Sequence, residues 1–133
     1  MRQMLNSPEM VRAYRAAVSG PGATATSGFT WFSLNRRHAD SFAEIAKRKH
    51  FDVSLEVAEV DVSGFLLVEG NGEDISLVES RGIENISPQI IALTDRLPGI
   101  FYRNVLDVAD RNTFDQAADM LAVLDPRRIK YAH

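Results

Sequence analysis

Phe29-Thr30-Trp31-Phe32-Ser33-Leu34-Asn35-Arg36-Arg37-His38-Ala39-Asp40-Ser41-Phe42-Ala43 changes its period halfway along. Up to Ser33 it is aromatic and β-branched, the composition of a strand. Asn35 is a good helix cap. Beyond it Ala39, Phe42, Ala43 and Ala46 recur at three- and four-residue spacing, which puts them on one face of a helix from about Arg36 to Lys49. A strand that runs directly into an amphipathic helix points to an α+β domain: a small mixed or antiparallel β core with flanking helices. Lys47, Arg48, Lys49 and His50 fall in the last turn of that helix. Positive charge there complements the helix dipole; an anion or phosphate site is the other reading of the same cluster.

Upstream, Ser19 to Gly28 is rich in glycine, proline and small residues and reads as a surface loop. Before it, Met10 to Val18 is open between strand and helix. Val11 and Ala13 alternate with Arg12 and Tyr14, while the alanines favour helix. Downstream, Val53, Leu55 and Val57 alternate with polar residues, and then the phase slips to Val60 and Val62. A one-residue slip exchanges the faces of a strand, so a bulge is expected near Ala58-Glu59. Phe65 to Val68 reads as a buried strand, Glu69 to Asp74 as a turn, and Ile75-Ser76-Leu77-Val78 as the returning strand.

The C-terminal part reads as helical. Ser87 can cap and Pro88 suits a first helical position. Thr113-Phe114-Asp115-Gln116 has a capping-box pattern, followed by Phe114, Ala117, Ala118, Leu121 and Leu124 as an apolar stripe up to Pro126. The stripe reads as core packing more readily than as a groove for a partner. The expected organisation is a single domain over 1–133, with a β-rich core at about 10–80 and a helical part at about 87–125.

The chain has 133 residues, 45% hydrophobic and 25% charged, in the range of an ordinary globular domain. A net charge of -3 supplies no global positive field, which argues against a nucleic-acid partner. There is no cysteine, so disulfides, thiolate metal sites and cysteine nucleophiles are excluded, and a cytoplasmic location is expected. Met1 to Pro8 has no apolar core of a signal peptide. The longest apolar run, Phe65 to Val68, is far short of the roughly 20 residues that cross a bilayer. His38, His50 and His133 lack paired metal-ligand spacing and read as surface histidines, so no metal is expected. No Gly-x-Ser-x-Gly elbow, Walker loop or dinucleotide fingerprint is present. Glu69, Glu73, Asp74 and Glu79 crowd one region. Carboxylates so placed can stabilise a cationic transition state, or simply solubilise a turn.

The order of four segments carries more information than any of them alone. Tyr14-Arg15-Ala16 is followed by Gly28-Phe29-Thr30-Trp31-Phe32-Ser33, then by Ala39-Asp40-Ser41-Phe42-Ala43, then by Asn71-Gly72-Glu73 leading into Ile75 to Val78. This order resembles the ADP-ribosyltransferase-like fold, prophage-type members included, over residues 12–79. In that family an early strand bears an arginine or histidine, and a glycine-aromatic strand ends in serine or threonine. An Ala-x-x-Phe/Tyr-Ala helix follows, and a later strand begins at a glutamate.

The resemblance implies NAD as substrate and an acceptor of ADP-ribose, with a protein as acceptor or partner. It implies that Arg15 grips NAD phosphate or ribose and that Ser33 supports the pocket floor, with Trp31 or Phe32 against the nicotinamide. It implies that Glu73 binds the ribose hydroxyl and stabilises the oxocarbenium-like state as nicotinamide leaves. Glu79 replaces Glu73 in that role if the strand register differs. Arginine-modifying members carry a second acidic or amide residue two places before the glutamate; that place is Asn71, which leaves the acceptor open. The alternative is a non-catalytic interaction module, phage- or toxin-associated, with no NAD binding. An unrelated α+β domain that binds a small molecule is a third reading.

Overall fold

The computed structural model describes residues 2–19, 28–49, 51–108 and 114–132. In chain order these form β1 (Gln3–Met4), β2 (Met10–Ser19), β3 (Thr30–Ser33), α1 (Arg36–Arg48), β4 (Asp52–Asp61), β5 (Leu66–Glu69), α2 (Ile75–Arg81), α3 (Pro88–Thr94), β6 (Gly99–Val105), β7 (Ala118–Val123), a 3-10 turn (Pro126–Arg128) and β8 (Ile129–Tyr131). The strands make one curled sheet in the order β1-β5-β6-β7-β3-β2-β4-β8. β5 and β6 run parallel, and the other neighbouring pairs are antiparallel. The α+β reading therefore holds. The strand at 29–33 and the Asn35-capped helix hold too: the Asn35 side chain accepts from the backbone amides of Arg37 and His38. Met10 to Val18, open in the sequence, is strand, paired with β4 along its whole length.

Residues directly opposite one another share a face of a sheet. Trp31 lies opposite Ala122, Ser33 opposite Met120 and Tyr14 opposite Ser33. These residues, with Tyr102, Ile100 and Leu66, define a first face. Val78 of α2 and Ile91 and Ala92 of α3 are buried in the same cluster as Leu66, Val68, Ile100 and Tyr102, and α1 packs on β2, β4 and β3. The second face carries Phe32 opposite Leu121, Ala13 opposite Ala58 and Val60 opposite Ile129. Its buried cluster is drawn from strands and their connections, with Val62 and Phe65 closing it. Curling lets this face bury itself.

Four expectations are corrected. No bulge interrupts β4: ten residues, Asp52 to Asp61, pair in unbroken register with β2. The apolar phase slips because the burial changes along the strand. Val53, Leu55 and Val57 lie on the face that α1 covers, whereas Ala58 and Val60, with Val62 just beyond the strand, enter the second-face cluster. The register shift falls instead between Tyr102 and Val105 of β6, where Asn104 has a φ of 56° and its amide donates to the Asp119 carboxylate at 2.9 Å.

Secondly, Ile75 to Val78 is the start of α2 and not a strand, because Asp74 caps it by accepting from the Ser76 amide. Four apolar-rich residues do not by themselves decide between the two periods. Thirdly, Ala118 to Val123 is a strand and not a helix. β7 is central, flanked by β6 and β3, and is buried on both faces, so its sequence is continuously apolar and loses the period of two. The helical C-terminal part thus reduces to α3 within 87–125, and the capping residue Thr113 lies outside the described residues. Fourthly, His38 is wholly buried and not a surface histidine; His50, His133 and most of the 19–28 loop lie outside the described residues.

Candidate functional site

On the first face the helices stand apart. Between α1 on one side and α2 and α3 on the other lies a cleft of about 860 Å³, within the range of small-molecule sites. Its floor carries Tyr14, Ala16 and Val18 of β2, Trp31 and Ser33 of β3 and Met120 of β7. Ala39 and Phe42 of α1 form one wall. Ile75, Ser76 and Glu79 of α2 with Ser87 and Gln89 form the other, and Asp107, just beyond β6, also lines it.

Glu79 is the most firmly held acid of the cleft. The Tyr102 hydroxyl donates to one carboxylate oxygen, and the Ser87 hydroxyl donates to the other at 2.9 Å. Local sequence sets up this grip. α2 stops at Gly82, whose φ of 70° suits glycine and whose Cβ position would fall against the Ile86 backbone. The tight turn that follows brings Ser87 back beside Glu79, eight residues earlier. Tyr102 in turn stacks on Trp31, with centroids 5.7 Å apart and planes 23° from parallel. An aromatic surface and a positioned carboxylate are thus joined through one phenol. Burial pushes the Glu79 carboxyl above its ordinary range, with the Ser87 hydroxyl pulling the other way.

Ser33 and His38 form the joint between floor and wall. Ser33 Oγ accepts from the Asn35 amide at 3.1 Å and lies 2.9 Å from His38 Nδ1. His38 Nε2 lies 2.5 Å from the Asp107 carbonyl oxygen, which can only accept, so Nε2 carries a proton. In the neutral ring Nδ1 then accepts from the Ser33 hydroxyl. The ring is packed between Phe114, stacked at 4.9 Å, and Phe42 at 5.2 Å. One buried histidine thereby ties β3, α1 and the chain leaving β6, and it fixes Asp107 at the cleft. Burial raises the Asp107 carboxyl as well, with His38 opposing and Asp74 reinforcing that shift.

The residues singled out in the sequence separate into two groups. Trp31 and Ser33 line the cleft. Arg15 reaches its edge, but its guanidinium pairs with Glu56 at 3.4 Å, across the strand from it. Phe32 is also among the lining residues, but its ring lies on the second face, 1% exposed and packed near Tyr131, so Trp31 is the ring offered to a ligand. Glu73 precedes α2 and makes a two-pronged ion pair with Arg81 at 2.8 and 3.2 Å. It is absent from the cleft lining, whereas Glu79 is part of it. Tyr14, His38 and Asp107 were missed. The first is the neighbour of Arg15 with the opposite strand phase. The other two become visible only when the chain after β6 is placed against α1. Among the described residues no group of three or more His, Asp or Glu side chains is arranged to hold a metal ion, and no helix is long and apolar enough to cross a membrane.

Compared with family models, curated proteins and solved structures, the chain matches none.

Proposed function

We propose that the cleft binds NAD and that the protein transfers ADP-ribose to an acceptor, with Glu79 rather than Glu73 as the carboxylate at the reacting sugar. The observation that carries this reading is the Trp31–Tyr102–Glu79 unit on the cleft wall and floor. A planar, positively charged ring is attracted to an aromatic face and to a nearby carboxylate. As nicotinamide departs, positive charge moves onto the ribose, and a fixed carboxylate stabilises it without having to reorganise. Ser33 holds the floor through His38. Arg15 has the strand phase of the second face and pairs there with Glu56, so the reading does not call on its guanidinium. The ordered resemblance noted in the sequence supports the same reading, with its acidic position moved by six residues.

The test is NAD titration by calorimetry together with nicotinamide release. Wild-type protein is expected to bind saturably and to release nicotinamide. Glu79→Gln is expected to stay folded and lose release by about 10²–10³-fold. Full release in Glu79→Gln would reject Glu79, and no NAD binding at all would reject the reading.

A second reading is a binding module, favoured by the outer surface of α2 and α3. Leu77, Ile90 and Leu93 are each more than half exposed there, and exposed apolar clusters mark interaction surfaces. It predicts self-association or a stable partner, with no NAD binding. A concentration-independent monomer mass by light scattering counts against self-association.

A further inference from the structure

Two carboxyl groups line the cleft, and their surroundings differ. Glu79 receives a hydroxyl hydrogen bond on each oxygen. The Asp107 carboxyl receives none from a described residue; its backbone carbonyl, not its side chain, meets His38. Burial raises both carboxyl groups, but a carboxylate with a donor on each oxygen is a fixed charge whose oxygens are engaged. One without donors keeps its lone pairs open to take a proton. Asp107 is held in place from behind by a buried ring, so its side chain is free to meet a group in the cleft. The charged or titratable groups that act on it are His38 from α1 and Asp74 at the start of α2, and Glu79 of α2 lines the same cleft.

We infer that Asp107 is the general base that deprotonates the acceptor, and that the acceptor is a neutral hydroxyl, that of water or of an alcohol. This rests on the ADP-ribosyl transfer reading and assigns the half of the reaction that Glu79 leaves open. In the step, the bond from ribose C1′ to the nicotinamide nitrogen breaks, and its electron pair neutralises the ring. The acceptor oxygen forms the new bond to C1′, and its proton passes to the Asp107 carboxylate. NAD and the hydroxyl are consumed; nicotinamide and the O-linked ADP-ribose product are formed, with one proton left on Asp107. A guanidinium acceptor fits less well. It is matched by ionised carboxylates that accept in pairs, whereas the oxygens of Glu79 are already engaged.

The experiment uses the full chain with NAD, in water and in water with added methanol, and reads nicotinamide, ADP-ribose and methyl ADP-ribose by chromatography. The wild type is expected to show kcat rising with pH through a carboxyl pKa above the ordinary range, and methanol is expected to divert product. Asp107→Asn is expected to bind NAD with an unchanged heat titration, to turn over about 100-fold more slowly, and to lose that rise with pH. Asp107→Glu is expected to restore part of the rate and the pH limb. Unchanged turnover and an unchanged limb in Asp107→Asn, with NAD still bound, would overturn the assignment of Asp107 alone. A flat acid-range profile in the wild type does the same without any variant. Turnover of NAD only when an arginine compound is supplied overturns the hydroxyl acceptor. Absence of NAD binding in the wild type overturns the underlying reading and this inference together.

Discussion

The two faces of the sheet do opposite things with similar materials. On the second face Phe32, Leu121, Ala13, Ala58 and Val60 close against one another as the sheet curls, and the cluster is filled by strand residues. On the first face Trp31, Ser33, Tyr14 and Met120 meet helices that do not quite meet each other, and a cleft remains. The carboxyl groups differ between the cleft and its outside. In the cleft, burial raises Glu79 and Asp107. At the end of β4, outside the cleft, the amide and hydroxyl of Ser63, with Arg128 beyond them, hold Asp61 below its ordinary range. One face spends its apolar surface on stability, and the other keeps an aromatic floor and two partly buried acids at a cleft.

The comparison breaks most visibly at Leu121. It is fully buried on the second face, so Leu121→Ala is expected to cost about 2–5 kcal/mol in denaturant unfolding. Trp31→Ala, on the half-buried floor, is expected to cost less stability and more NAD affinity; the reverse ranking would mean that the cleft is only unfilled core. Next in size is the joint. His38→Ala leaves the Ser33 hydroxyl and the Asp107 carbonyl without their shared partner and is expected to cost roughly 1–3 kcal/mol. Thermal melts of His38→Ala beside Ser33→Ala measure it, and an effect confined to activity would mean that the ring does not hold the wall.

A pH series of melting temperatures then separates the cleft acids from Asp61 by sign. A carboxyl whose folded pKa is raised binds its proton more tightly in the folded state. Glu79 and Asp107 therefore take stability away as pH rises from the ordinary carboxylate range through their raised values. Asp61 is depressed, so its contribution is present above the ordinary range and is lost as pH falls through the folded value. Glu79→Gln should flatten the first slope and Asp61→Asn the second. The smallest effect is expected at Glu73, whose partner Arg81 is on the surface. Glu73→Gln should change the melting temperature little and leave nicotinamide release intact.

Half of the sheet and part of the cleft could be read in the residues. At β3 and α1 the local signals agree: an aromatic strand, an asparagine cap and an apolar helical face, and the structure follows them. Trp31 and Ser33 came with that stretch. At β7 the signal was misleading because a strand buried on both faces has no alternation to display. At α2 four residues were too few to carry a period, so Asp74 was taken for a turn residue and not a cap. Glu73, the acid the resemblance points to, precedes that helix and pairs with Arg81 outside the cleft lining. A helix from Ile75 turns Glu79, one turn in, toward Tyr102, a residue 23 positions away that no local pattern connects to it. His38 was legible as a helical residue but not as a buried one, because its partners lie on β3 and beyond β6.

The account depends on the cleft being an NAD site built around Glu79. Calorimetric titration of wild type and Trp31→Ala with NAD, up to about 1 mM, tests that most directly. The account predicts saturable heat in the wild type that weakens in Trp31→Ala. No heat from the wild type across that range, with the protein folded, would contradict it.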